Sequence, residues 1–171
     1  MQALIFRFFD ICLLRAGPQD LPSSHFLLRV MVVLNLSLHI LVYYPTKGFE
    51  QAFVEVLFDF ILVVILLYAA LQWRGLQARF RQSLTAIMGT GIILVMIAMP
   101  FVYRLMAAEA SGETSLIALQ FYLLILVWNI TVIAHIIRHT FSIHLAYGFL
   151  VSIGYLVLLW TLSDYFFGTS G

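Results

Sequence analysis

FLLRVMVVLNLSLHILVYY (residues 26–44), PTKG (45–48) and FEQAFVEVLFDFILVVILLYAALQW (49–73) decide the fold. Each apolar stretch has the roughly 20 residues that a helix rising about 1.5 Å per residue needs to cross a hydrocarbon core of roughly 30 Å. Only four residues separate them. A lipid-exposed backbone must satisfy its own hydrogen bonds, and these runs are too long for barrel strands, so they are helices. Working outward, three further runs qualify: 84–106, 115–137 and 141–167. The breaks between them are short: Arg74 to Arg79, Ala110 to Thr114, and Arg138-His139-Thr140. They leave no room for a soluble domain.

The whole chain agrees with its runs. Of 171 residues, 63% are hydrophobic and 10% charged. A soluble chain is nearer half apolar and a quarter charged. With a mean hydropathy of +1.04 there is too little polar surface to cover a water-soluble sphere of this size. The net charge of +1 points to neither nucleic acid nor a polyanionic substrate. A single cysteine, Cys12, excludes an internal disulfide framework and a cysteine-rich metal site. There is no nucleophile elbow, phosphate loop or dinucleotide fingerprint, and no cofactor is expected.

The expected architecture is therefore all-α: a polytopic bundle of five transmembrane helices over residues 23–171, preceded by a short amphipathic interfacial helix within 1–22. Charge tests the count. With five spans, Arg7, Arg15, Arg29, Arg74, Arg79, Arg81 and Arg138 share one side, and only Lys47 and Arg104 fall on the other. The positive-inside rule then places the N-terminus in the cytoplasm and the C-terminus outside, in the plasma (inner) membrane if the source is bacterial. Residues 1–14 are apolar but interrupted by Arg7 and Asp10, the wrong order for a cleavable signal, so the segment is expected to be retained. As a helix it carries Arg7 and Asp10 on a narrow wedge, three apart and able to pair, and would either lay Phe6, Phe8 and Phe9 in the acyl boundary as a surface or partner-docking helix, the favoured reading, or pack as a leader against the bundle.

Ionisable groups inside spans are costly and are candidates for function. Glu55 and Asp59 are four apart on the second span; Asn35 and His39 are four apart on the first, at matching depth; Arg104 lies at a similar level on the third. These five are expected to form one polar cluster in the outer half, serving either as a proton or cation relay or as interhelical glue, the commoner use. A second polar group lies towards the cytoplasm: Asn129, His135, Arg138, His139 and His144. Metal sites need three or four placed ligands, and no HExxH or cysteine pair accompanies these histidines, so headgroup contact or capping of span ends is expected instead. Small residues mark close helix approaches: Gly89 and Gly91 on the third span, and Gly148, Ser152 and Gly154 on the fifth. Pro100 is expected to kink the third span.

Val127-Trp128-Asn129, Ala134-His135-Ile136-Ile137-Arg138 and Ala146-Tyr147-Gly148-Phe149-Leu150, set in five short-looped spans, resemble the Yip family, the Rab/Ypt-interacting membrane proteins and their bacterial relatives. The resemblance implies a non-enzymatic scaffold or adaptor that packs helices with other membrane proteins, and it carries over no catalytic residues. The function expected is thus a scaffold or accessory subunit, with the bilayer and a membrane-protein partner or a second copy as its contacts. The alternative is a small ion- or proton-coupled transporter using Glu55, Asp59 and His39. An enzyme acting on lipid ranks third, resting on the histidine group alone.

Overall fold

The computed structural model describes residues 2–168, and its described secondary structure is all helical. Helix α1 spans Gln2–Cys12, α2 His25–Trp73, α3 Phe80–Ala110, α4 Leu116–Phe141 and α5 Leu145–Phe167, with 3-10 turns at Pro18–Asp20 and Gln77–Arg79. Four helices, α2 to α5, are long and apolar enough to cross a membrane by length and composition, as fits an integral membrane protein.

The first two apolar runs form one helical stretch of 49 residues, not two helices parted by a loop. Pro45, Thr46 and Lys47 stay helical, because proline obstructs only the turn before it. The reversal falls on Gly48 alone, at φ 75 and ψ 171, a conformation open to glycine and closed to side chains with a Cβ. There α2 folds back on itself. Leu28, Met31 and Val32 of the limb before Gly48 and Phe60, Val63 and Val64 of the limb after it pack on one cluster with Leu67, Leu71, Leu84 and Met88. A straight helix would hold Met31 and Leu67 some 50 Å apart at about 1.5 Å per residue.

The other boundaries shift by a few residues. Helix α3 begins at Phe80 rather than 84 and continues to Ala110 through Pro100 without a break. Helix α4 continues through Arg138, His139 and Thr140, where a loop was expected, and ends at Phe141. Two features hold that extra turn. Arg79 donates to the backbone oxygens of His139 (3.3 Å) and Thr140 (2.8 Å), and to the Ser142 hydroxyl (2.9 Å). Ser142 then takes the left-handed conformation that closes a helix C-terminus. Cationic donors near the last carbonyls also oppose the negative end of the helix dipole.

The bundle has two ends. One, here the turn end, carries the Pro18–Asp20 turn, the starts of α2 and α3 and the α4–α5 connection. The other, the Gly48 end, carries the reversal of α2 and the α3–α4 connection. At the turn end Ser83 and Thr140 share a hydrogen bond (2.8 Å), and Gln82 donates to the Leu21 oxygen (2.7 Å). Ser24 caps α2 by accepting from the Leu27 amide (3.3 Å).

Helix α1 departs from a purely surface-lying segment. Phe8, Ile11 and Cys12 are buried against Ala86, Val132 and Ile136 of α3 and α4. Gly89 makes the seat: a Cβ there would stand 2.2 Å from the Phe8 ring. Trp128 donates from its indole to the Cys12 oxygen (2.9 Å), and His135 donates to the Ala16 oxygen (3.0 Å). Trp128 lies roughly 20 Å of helical rise before the end of α4, so the end of α1 lies deep beside the bundle and the chain rises from it to the Pro18–Asp20 turn. Phe6 and Phe9 remain exposed, and Phe8 does not join them as expected, because it fills the groove that Gly89 leaves. The expected Arg7–Asp10 pair does not form; among the described residues the ion pair is Lys47–Glu55.

Candidate functional site

The intramembrane polar groups predicted to cluster divide into separate partnerships. Asn35, buried on the first limb of α2, donates to the Met88 oxygen of α3 (3.0 Å). Its amide reaches α3 beside Gly91, where a Cβ would stand 2.7 Å from the Asn35 nitrogen. His39 donates from Nδ1 to the Asn35 oxygen of its own helix (2.9 Å). Glu55 accepts from Lys47 on one oxygen and from Gln51 on the other (3.1 Å). Asp59 accepts from the Tyr155 hydroxyl of α5 and not from Asn35. Arg104 is exposed at the Gly48 end, lining a cavity of about 760 Å³ with Ser111 and Glu113, and makes no bond to Glu55.

What remains together is smaller than expected. His39 and Tyr43 stand close enough to Asp59 to interact electrostatically. Asp59, Tyr155 and His39, each half-buried, therefore form the polar group of the Gly48 half, with the exposed Tyr43 at its edge. A carboxylate bonded to a phenol, with an imidazole nearby, can hold or pass a proton; it can equally fix the register of α5 against α2. Phe58 packs on Phe166 and Phe167 beside it (5.8 and 5.6 Å between ring centroids) and strengthens the second role.

Two members were missed in the sequence. Lys47 was treated as part of a loop, yet it lies helically before Gly48 and reaches back to Glu55. Tyr155 was passed over because its hydroxyl makes it look like one more aromatic. Depth would have found it: counted from the last residue of α5, Tyr155 lies roughly 18 Å in, and Asp59 lies roughly 15 Å in from Phe49.

At the turn end the histidines also separate. Helix α4 continues past them, so His135 and His139 keep helical spacing and their rings meet edge-on at 4.5 Å. His135 is buried and spent on Ala16. His144 is exposed and caps α5, accepting from the Ala146 amide (3.3 Å). Arg138 is exposed and Asn129 half-buried. Among the described residues no three His, Cys, Asp or Glu side chains gather to hold a metal ion.

Of the small residues, Gly148 sits directly on α4: a Cβ would stand 2.4 Å from the Ala134 backbone oxygen. Ser152 is buried one turn on and bonds to the Gly148 oxygen (2.9 Å). Gly154 faces open space.

No family model matches this chain, and neither a curated protein nor a solved structure matches it.

Proposed function

We propose that this chain is a non-catalytic integral membrane scaffold or accessory subunit that works by packing its helices against membrane partners. One observation carries the reading: among the described residues, every buried side-chain nitrogen and oxygen already has a hydrogen-bond partner within the chain. Catalytic and transport sites commonly hold polar groups in reserve for a ligand; here the interior is fully occupied with holding helices together. The outer faces of α4 and α5 are apolar and unpartnered, with Leu124, Val127, Leu150 and Trp160 all prominent. The resemblance to the Yip family points the same way and belongs to this proposal.

The topology proposed with it has five spans, because the fold-back at Gly48 divides α2 into two lengths that each suffice to cross. The arginine bias supports a turn end in the cytoplasm and a C-terminus outside, in the plasma (inner) membrane if the source is bacterial. The outward faces of α1 then lie in the acyl layer of the cytoplasmic leaflet. Extraction of the tagged protein in mild detergent, with mass measurement of the particle and identification of what accompanies it, tests the function. A stoichiometric membrane partner or a second copy is expected. A lone monomer overturns the proposal.

A second reading, a small proton-coupled transporter, draws on the Asp59–Tyr155 bond with His39 beside it. It requires that Asp59→Asn abolish proton-coupled flux in liposomes while the fold survives. No flux from the unaltered protein, or unchanged flux in the variant, excludes it.

A further inference from the structure

The turn end holds a cavity that the scaffold reading does not use. It measures about 300 Å³ and lies where the Pro18–Asp20 turn, the start of α3 and the end of α4 meet. Arg79, Gln82, His139 and Ser142 supply its polar wall, with Gln19 closing one side. Such a volume is at the lower end for small-molecule sites, which suits a compact group and not an extended one.

Its donors are partly unspent. All three bonds made by Arg79 leave from Nη1 and hold the end of α4. Among the described residues Nη2 and Nε make no bond, so the other edge of the guanidinium fork stays available while the backbone fixes the arginine. The His139 ring is steadied by His135 and takes part in no hydrogen bond among the described residues. The nearby acid is occupied: Asp20 accepts from the Gly17 amide (2.8 Å). Arg81 is turned away towards His25 (2.7 Å). Gln82 is spent on the Leu21 and Gln19 backbone oxygens (2.7 and 3.5 Å). A guanidinium held from behind and an imidazole on one small concave wall form a donor set for tetrahedral oxyanions, which accept from a planar fork bidentately. The cavity also lies at the ends of α3 and α4, the level at which phospholipid headgroups sit.

We propose that this cavity binds a phosphate-bearing group, with Arg79 and His139 as its main donors. A phospholipid headgroup and free phosphate share that chemistry. The site would anchor the turn end at the membrane surface and hold the 3-10 turn against α3 and α4.

The test is a binding titration of the purified full-length protein by native mass spectrometry. The probes are phosphatidylglycerol, diacylglycerol of the same chains, and inorganic phosphate. Phosphatidylglycerol is expected to bind and diacylglycerol not. Arg79→Gln and His139→Gln should each weaken binding about tenfold, as loss of one charge-assisted bond does. Arg74→Gln and Arg138→Gln, charges outside the cavity, should leave it within twofold, about the scale of exposed charge effects. Arg79 also caps α4, so Arg79→Lys, which keeps the charge, and His139→Gln decide the matter if Arg79→Gln fails to fold. Displacement of the lipid by inorganic phosphate supports the site and makes a soluble anion its ligand. No displacement supports it as a headgroup site. Equal binding of diacylglycerol, or equal losses in the Arg74 and Arg138 variants, overturns it.

Discussion

The two halves of the bundle are built differently. At the turn end, α1, the Pro18–Asp20 turn, α3 and α4 interlock, and Ile11, Leu71, Val132 and Ile136 are completely buried. Hydroxyls there are buried and all bonded, Thr85 and Thr90 to their own helix and Ser83 and Thr140 to each other across α3 and α4. At the Gly48 end residues 43–51 of α2 and 111–114 before α4 are exposed throughout. That half is held by point contacts, namely Asp59–Tyr155, Lys47–Glu55, the Tyr103 hydroxyl on the Leu41 oxygen (3.1 Å) and the stacked rings of Phe101 and Phe121 (4.9 Å). One half is a close-packed core, in which small residues carry the contact. The other also buries Val42, Ala52, Val56 and Ala118, and adds separate polar and aromatic ties between its helices. In lipid, where apolar burial between helices yields little because acyl chains are as apolar as leucine, fit and hydrogen bonds decide the difference.

The most damaging test of this contrast is a pair of glycines six residues apart. Gly148→Leu drives a side chain into the Ala134 carbonyl, and backbone cannot give way as a flexible side chain can. A cost of about 3 kcal/mol or outright failure to fold is expected. Gly154→Leu, pointing into open space, should change thermal stability in detergent little. Equal tolerance at both positions would show that α4 and α5 are not in close contact at the turn end.

How much of this was legible follows from what each feature depends on. Hydrophobic run length is a local property, so the long helices and the stretch at 45–48 where the chain reverses could be read directly. The reversal was assigned to a polar loop, while the helix persists to Lys47; one residue's backbone conformation does the work, and a hydropathy pattern is blind to it. Residue depth matched His39 to Glu55 and Asn35 to Asp59, but Glu55 is bonded to Lys47 and Gln51, and Asp59 to Tyr155. Helix rotation and neighbour order were not legible. Arg104 has the right level and the wrong direction, and Asn35 reaches Met88 because α3, not the second limb of α2, lies beside it there. The docking of α1 was one of two readings left open, for the same reason: an apolar face looks alike whether it meets lipid or Gly89.

A smaller effect is expected where α1 docks. Phe8→Ala removes the ring seated on Gly89 and should cost about 2 kcal/mol, less than such truncations cost in soluble cores because lipid can take the vacated place. Cys12 gives a local reading. Burial pushes its thiol up to about 11, from an ordinary value near 9.0, so at pH 8 the reactive thiolate is scarce and covered. Maleimide labelling of the folded protein should be slow, and Phe8→Ala should speed it about tenfold or more, the change one unit of restored acidity alone would bring. Rapid labelling of the unaltered protein would mean that α1 does not rest in this groove and that the turn end is less closed than its burial indicates.

The smallest effect belongs to the Gly48 half, and it separates a tie from a relay. Hydrogen bonds between membrane helices are worth about 0.6 kcal/mol on average and reach about 1.7. A double-mutant cycle with Asp59→Leu and Tyr155→Phe should give a coupling in that range, read from unfolding in detergent. Asp59→Asn keeps an acceptor for the Tyr155 hydroxyl and should retain most of it. A coupling near zero would remove α5 from its place beside the second limb of α2. A coupling of several kcal/mol would make the Gly48 half as rigid as the turn end and abolish the contrast between them. Within the expected range, the tie is strong enough to orient α5 and weak enough for a partner helix, or a proton on Asp59, to undo it.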